Sequence, residues 1–163
     1  MNFVSKAGLV AAVALLLSPM AASANQVTPV AVSANVVPFC VNLDLGASAD
    51  KVAFGAYNVF NNFDVKTTGI LEFECTKGTN ATLSVDGGTY GNGSQRRMSN
   101  GTSFLNYNLY KDAGDSVAWT SGQTIALNNN SGYNQFPFNG VLPQQQNVTT
   151  GNYSDTVTIT LNY

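Results

Sequence analysis

The sequence predicts an all-β protein, an antiparallel β-sandwich, and three observations support this prediction. Short segments in which apolar and polar residues alternate recur along the chain. Clusters of Gly, Asn, Ser and Asp separate these segments, as turns between strands require. Beyond the first 24 residues, no stretch of useful length has the periodicity of an amphipathic helix. Strands at this spacing, joined by polar turns, are typical of a sandwich with almost no helix.

The first 24 residues have the pattern of a secretory signal peptide. A basic residue, Lys6, precedes an uninterrupted apolar stretch from Leu9 to Leu17, and the segment ends on the small residues 22–24. These nine apolar residues are too few to cross about 30 Å of hydrocarbon, which argues against a membrane anchor. We therefore expect cleavage before Asn25 and export of residues 25–163.

The candidate strands follow one another along the exported chain. Each is a short apolar-polar alternation bounded by turn residues. In TGILEFEC, for example, Leu71, Phe73 and Cys75 share one face, so this face is predicted to be buried. The full set is Phe39–Leu45, Val52–Tyr57, TGILEFEC, ATLSVD, FLNYNLYKD, QTIAL, FPFNGVLP and the terminal GNYSDTVTITLNY.

The two cysteines, Cys40 and Cys75, both lie in the exported part of the chain. An even number of cysteines in an oxidising compartment favours a disulfide over a metal pair or a catalytic thiol. The loop that it closes, about 36 residues, contributes on the order of 3–4 kcal/mol to stability. Cys40 is out of phase with the apolar residues on either side of it, and a bulge beside Pro38 would restore the register.

The composition argues against several classes of function. The chain has seven Lys and Arg against nine Asp and Glu, and only 10% of its residues are charged. Nucleic acids and anionic membranes require clustered basic charge, so we expect neither as a partner. Because the chain contains no histidine, it cannot assemble a Ser-His-Asp or Cys-His catalytic arrangement. We predict that the protein is not an enzyme and has no cofactor.

Three charged groups could carry chemistry, but each has a simpler interpretation. Glu72 and Glu74 lie about 7 Å apart on one strand face, a separation compatible with an inverting glycosidase, yet that face is the solvated one. Asp112–Asp115 lacks the ligand count of a calcium loop and predicts a turn. The pair Arg96–Arg97 could bind an anion, although such pairs more often support turns or salt bridges. We therefore predict no catalytic or metal site.

The terminal strand and a segment near the amino terminus both need a partner strand. In the terminal strand Val157, Ile159, Leu161 and Tyr163 share one side. In the other segment, between Pro29 and Pro38, the apolar stripe consists of Val30, Val32, Ala34 and Val36. The simplest interpretation is that this segment is the first strand of its own domain. Alternatively it pairs with another molecule by β-augmentation, since an exposed apolar edge otherwise promotes aggregation.

Several short sequences then identify a family by their order. They are the DLG step after Cys40 (Asp44–Gly46), VAFGAYN at Val52–Asn58, FECTKGTNATLSVDGG around Cys75, RRM at Arg96–Met98, LNYNLYKDAG at Leu105–Gly114 and the closing GNYSDTVTITLNY. Over residues 25–163 the chain thereby resembles the spore coat protein U domain family, which includes subunits of archaic chaperone–usher pili.

The resemblance implies an incomplete immunoglobulin-like sandwich that a donor strand from another subunit completes. After the predicted signal peptide at residues 1–24, it implies a donor segment at 25–37 and a pilin domain at 38–163. The stripe Val30, Val32, Ala34 and Val36 is expected to fill a groove bordered by Val157, Ile159, Leu161 and Tyr163. The implied partners are a periplasmic chaperone, an outer-membrane usher and other copies of the chain or related pilins.

The expected function is that of a structural pilus subunit that supports surface attachment and biofilm formation. A tip adhesin would be expected to carry an additional amino-terminal domain, so a shaft or adaptor position is favoured. Such a subunit is exported to the periplasm and then displayed on the cell surface. Two alternatives stay open: a self-contained secreted coat protein that pairs its amino-terminal strand internally, and an adhesin that binds sugars through Tyr and Asn side chains.

Overall fold

The computed structural model describes residues 26–43, 52–127 and 132–163 of the chain. The chain divides into two units, residues 1–34 and 35–163. The described residues contain no helix, and so none that is long and apolar enough to span a membrane. The predicted signal peptide lies outside the described residues. The strands are β1 (Cys40–Asn42), β2 (Val65–Cys75), β3 (Thr82–Val85), β4 (Arg96–Ser99), β5 (Phe104–Tyr110), β6 (Thr124–Ala126), β7 (Tyr133–Leu142) and β8 (Ile159–Asn162).

The strands of the second unit form two antiparallel sheets, as the sequence predicts. A five-stranded sheet has the order β1-β2-β7-β5-β4, and a three-stranded sheet has the order β6-β3-β8. In the first sheet Leu71 of β2 lies opposite Phe136 of β7. In the second, Leu83 of β3 lies opposite Leu161 of β8. The predicted all-β fold is therefore confirmed.

The inward faces of the strands form one apolar core. In β2 the predicted face of Leu71, Phe73 and Cys75 is buried, whereas Ile70 on the opposite face is exposed. The largest core side chain, Trp119, is fully buried, and its ring stands edge-on to those of Phe136 and Phe138, at 5.4 and 5.7 Å between centroids. Such edge-to-face pairs stabilise a core beyond the area that they bury.

The predicted strand at Val52–Tyr57 is wrong, although the segment does pack on the core. Residues 52–58 form no strand, because Gly55 adopts a positive φ of 68°, which interrupts the extended conformation. The side chains of Val52 and Phe54 nevertheless contact the core, and the Tyr57 hydroxyl donates to the Pro143 carbonyl at 2.8 Å. The apolar alternation here reflects packing rather than strand pairing.

The predicted disulfide joins Cys40 to Cys75, and the pairing of β1 with β2 accommodates Cys40 without a bulge. The two cysteines lie directly opposite each other in a regular register between β1 and β2. Cys40 must point inward to reach Cys75, so its apolar neighbours Phe39 and Leu43 are turned outward and exposed. Phe39 recovers part of its burial from the ring of Tyr163, whose centroid is 6.0 Å away.

Gly69 of β2 is where the Phe138 ring crosses the strand, and its replacement tests the packing between strands. A Cβ at this position would overlap the Phe138 ring, which is itself buried against Trp119 and has little room to move. We expect Gly69→Ala to lower the free energy of unfolding by about 1–3 kcal/mol, measured by urea denaturation. Thr67→Ala on the same strand is the control. A Gly69→Ala protein as stable as the parent would contradict this packing.

Candidate functional site

Several strand edges of the sandwich lack a neighbouring strand among the described residues, and two of them, on β2 and β8, concern the site. Strand β1 pairs with β2 at Phe73–Cys75, and none of the strands in the described part of the chain lies beside Val65–Leu71 on that edge. Strand β8 pairs with β3 on one side and is the edge of its sheet on the other. Within residues 26–43, 52–127 and 132–163, no strand pairs with these two edges, so each could pair with a further strand.

The two edges border one groove, which we call the open groove. It consists of a larger depression of about 260 Å³ and a smaller one of about 30 Å³. Leu71 of β2 and Ile159 of β8 line both depressions and so mark their junction. The larger one is also lined by Val52, Phe54 and Val157, and the smaller one by Phe73, Leu83 and Leu161. The floor is thus mainly apolar, as a site for an extended peptide requires.

Three of the four groove residues predicted from the sequence lie in the open groove. Val157, Ile159 and Leu161 are half-buried and alternate with exposed threonines, so their side chains form one stripe. Tyr163 lines neither depression. It is 56% exposed and packs against Phe39 just beyond the groove.

The opposite wall and the polar end of the groove were not predicted. Leu71 was assigned only to the core, and Phe54 to a strand. Asp155 continues the stripe of Val157 and Ile159 by one more alternation, and this in-phase position is the signal that could have identified it. Its partner Tyr107 comes from β5, at a separation that no local pattern shows.

Asp155 is a polar group at the end of an apolar groove. Its Oδ2 accepts a hydrogen bond from the Tyr107 hydroxyl at 2.6 Å, and its Oδ1 accepts one from the Tyr90 backbone N–H at 3.2 Å. Burial raises the pKa of Tyr107 far above its usual value, and the hydrogen bond to Asp155 adds to the increase. The phenol therefore stays protonated at physiological pH and remains a donor to the carboxylate.

The two arginines that could have formed an anion site are both engaged otherwise. Arg96 is only 4% exposed, and its guanidinium donates to the backbone carbonyls of Asp86 and Trp119 at 2.6–3.0 Å. Arg97 stacks on the Phe104 ring, 4.2 Å from its centroid, and donates through Nε to the carbonyl of Tyr90. The anion-site alternative is therefore unsupported, and Arg96 instead connects the segments at Asp86 and Trp119 by hydrogen bonds.

The acidic residues considered as catalytic or metal ligands also have structural roles. Glu72 accepts hydrogen bonds from the Tyr133 hydroxyl and the Gln135 amide on the outer face of the sheet. Asp112 accepts from the backbone N–H groups of Ser116 and Val117, which closes the predicted turn. Among the described residues, no three His, Cys, Asp or Glu side chains cluster closely enough to hold a metal ion.

Asp86 connects β3 to the segment that leads into β8 and gives a pH prediction. Burial alone would raise its pKa, but hydrogen bonds from the backbone N–H groups of Thr158 and Gly88 outweigh it, so the pKa of Asp86 is lowered. A carboxyl group with a lowered pKa stabilises the folded state above its unfolded pKa, and this contribution is lost as the pH falls through the folded pKa.

We therefore expect the thermal midpoint to fall as the pH drops below about 4. Asp86→Asn should lower the midpoint at neutral pH and flatten the acid decline. Calorimetry across the acid range measures both effects. If the parent and Asp86→Asn proteins lose stability identically in acid, Asp86 does not anchor β8.

The predicted donor stripe lies in a segment without regular secondary structure, at residues 26–39. Its side chains are largely exposed: Val30 by 81%, Val32 by 92% and Val36 by 77%. Ala34 is exposed as well. The chain therefore carries an apolar stripe at the solvent as well as an apolar groove.

Sequence comparison finds the same family along most of the chain. The profile of the Spore Coat Protein U domain matches residues 26–160. Protein U of Myxococcus xanthus is 32% identical in an alignment of 172 positions that covers 96% of this chain and 96% of that protein.

Comparison with solved structures identifies the type of sandwich. One similar structure is the complex of a chaperone with the tip adhesion subunit of archaic chaperone–usher Csu pili from Acinetobacter baumannii, with a TM-score of 0.58 and 24% identity. The match covers 78% of this chain and 40% of that chain. Another is a chaperone–usher pilus studied for rod uncoiling, with a TM-score of 0.56, 17% identity and coverage of 90% and 99%. The fold is thus the immunoglobulin-like fold of chaperone–usher pilus subunits.

Proposed function

Because this chain belongs to the spore coat protein U domain family, we propose that it is a structural subunit, shaft or adaptor, of an archaic chaperone–usher pilus. The subunit polymerises by donor-strand complementation and supports surface attachment and biofilm formation. The family and the solved neighbours are structural proteins and not enzymes.

The open groove is the observation that carries this proposal. It has an apolar floor, and on both sides it has a strand edge that no other described strand pairs with, which is what a missing strand leaves in a sandwich. The same chain exposes an apolar stripe whose side chains alternate with the period of a strand. A strand from a second copy can therefore pair with both edges while its stripe fills the groove.

The expected gain from filling the groove is large compared with the stability of a domain. Burial of three valine side chains contributes on the order of 5–8 kcal/mol, since each contributes about 1.5–3 kcal/mol. Backbone hydrogen bonds along both edges add to this gain. Typical domains are stable by only about 5–15 kcal/mol, so an empty groove is a substantial liability for the isolated subunit.

The proposed assembly route therefore needs partners before polymerisation. A periplasmic chaperone fills the groove with its own strand after export, and an outer-membrane usher then exchanges that strand for the amino-terminal segment of the next copy. One of the solved structures similar to this chain is a pilus subunit in complex with a chaperone, which supports the proposed chaperone partner. The assembled subunit is displayed on the cell surface.

The proposal is tested by expressing the chain in cells with and without its chaperone and usher. We expect the chaperone to copurify with the subunit, surface fibres to form when the usher is present, and the fibres to give a ladder of bands on an unheated denaturing gel. A monodisperse monomer released without any chaperone would contradict the proposal.

A self-contained coat protein is the second candidate, and one observation favours it. The described relative, Protein U, matches this chain over nearly the whole length of both proteins, and the family is named for spore coats. In such a protein residues 30–36 would pair within their own chain, and the monomer would be the stable form.

A further inference from the structure

We infer that Asp155 sets the register of the strand that occupies the open groove, by ending its apolar stripe with a carboxylate. This inference rests on the proposed function and adds a residue that decides which part of the donor segment is bound. The occupant of the groove is the donor stripe of a second copy of the chain, that is, its Val30, Val32, Ala34 and Val36.

The geometry places Asp155 in line with the apolar positions of the groove. Asp155, Val157 and Ile159 all line the larger depression, and Leu161 lines the smaller one. These residues are half-buried, whereas the residues between them are exposed, so one face of the chain carries the whole series. Beyond Leu161 the series ends at the apolar pair formed by Tyr163 and Phe39.

The chemistry of Asp155 differs from that of every other member of the series. Two hydrogen bonds, from Tyr107 and Tyr90, use only part of its capacity, since a carboxylate accepts about four. An apolar side chain laid over the carboxylate would remove water without replacing its hydrogen bonds, which is unfavourable. A side chain with an O–H or N–H group, or no side chain contact at all, is tolerated there.

The number of apolar positions in the donor stripe then matches the number along residues 157–163 in one register. This holds whether the donor strand runs parallel or antiparallel to that segment. The donor stripe has four in-phase apolar residues. The series has three apolar positions in the groove, Val157, Ile159 and Leu161, and Tyr163 supplies a fourth just beyond it, where it packs on Phe39. A slip of two residues towards Asp155 would place an apolar side chain on the carboxylate and remove another from the Tyr163–Phe39 end. Asp155 therefore acts as a stop.

The test uses synthetic peptides and the full chain purified with its chaperone. The native peptide spans residues 26–38. Two further peptides of the same length carry Thr28→Val or Pro38→Val, and each substitution adds a fifth in-phase apolar residue at one end of the stripe. We call them the lengthened peptides because their apolar stripe is longer. Binding is measured as displacement of the chaperone. For the parent chain we expect neither lengthened peptide to bind more tightly than the native one. For Asp155→Leu we expect one of them to bind about tenfold more tightly.

Control variants keep the outcome decisive. Glu74→Leu changes an exposed carboxylate on the outer face of β2 and should alter no peptide's affinity. If Asp155→Leu does not fold, Asp155→Asn replaces it, and a smaller gain in the same direction is expected. If the native peptide binds, but a lengthened peptide changes the affinity equally for the parent chain and for the Asp155 variant, the inference is overturned. Failure of the native peptide to displace the chaperone would overturn the proposed function itself.

Discussion

Val32→Asp is expected to abolish subunit assembly while the chaperone-bound subunit persists. Val32 is 92% exposed in the subunit and lies in the middle of the donor stripe. In the groove of a neighbour its aspartate would be desolvated without a partner, or would pull the strand out of register. Either outcome costs several kcal/mol at every junction. Chaperone copurification and the ladder on an unheated gel measure the two quantities from one culture.

A matched control lies beside it in the same segment. Ala31 is exposed and points to the opposite face of the predicted strand, so Ala31→Asp should leave the ladder intact. If residues 30–36 instead pair within their own chain, Val32→Asp should destabilise the subunit, and chaperone-bound material should disappear as well. A normal ladder from the Val32→Asp protein would remove the donor-strand assignment.

Arg96→Met is expected to lower the free energy of unfolding by about 2–4 kcal/mol. Methionine has a similar length but no donors, so the buried carbonyl of Trp119 and the part-buried carbonyl of Asp86 would each lose hydrogen bonds from a charged group. Burial lowers the pKa of Arg96, and nearby Tyr107, Asp86 and Asp155 partly offset that effect. The free energy recovered by removing the buried charge is smaller than the free energy lost when the two carbonyls lose their hydrogen bonds.

The neighbouring arginine is the control for Arg96. Arg97 lies next to it on β4 but stacks on the partly exposed Phe104 ring at the surface. Arg97→Met should therefore cost less than about 1 kcal/mol, because exposed cation–π contacts contribute about 0.5–1 kcal/mol. Urea denaturation of both proteins gives the comparison, and equal effects would contradict the anchoring role of Arg96.

The faces of the paired strands could be predicted because alternation is a local signal. It assigned Leu71 and Phe73 of β2 to the core and placed Ile159 and Leu161 of β8 on one side. Alternation reports which residues are buried but not what buries them. The same signal at Val52–Tyr57 therefore suggested a strand, although Gly55 prevents one and the segment only packs on the core.

The remaining features depend on contacts between residues distant in sequence. The inward direction of Cys40 follows from its bond to Cys75, and it overrides the apolar preference of the residues around it. The opposite wall of the groove, at Leu71, and the Tyr107–Asp155 hydrogen bond exist only when the two sheets face each other. No local pattern encodes either. The family resemblance implied a groove and alternation gave one of its edges, but the opposite wall was not predicted.

Photo-crosslinking from position 32 tests the central claim, that a strand from another copy fills the open groove. Subunits with a diazirine-bearing aliphatic residue at this position are isolated in heavy-isotope and light-isotope forms and mixed before assembly. The account predicts crosslinks to residues 154–163 or to β2, with many joining a heavy to a light chain. Crosslinks to these residues that join only chains of the same isotope would show pairing within one chain and contradict it.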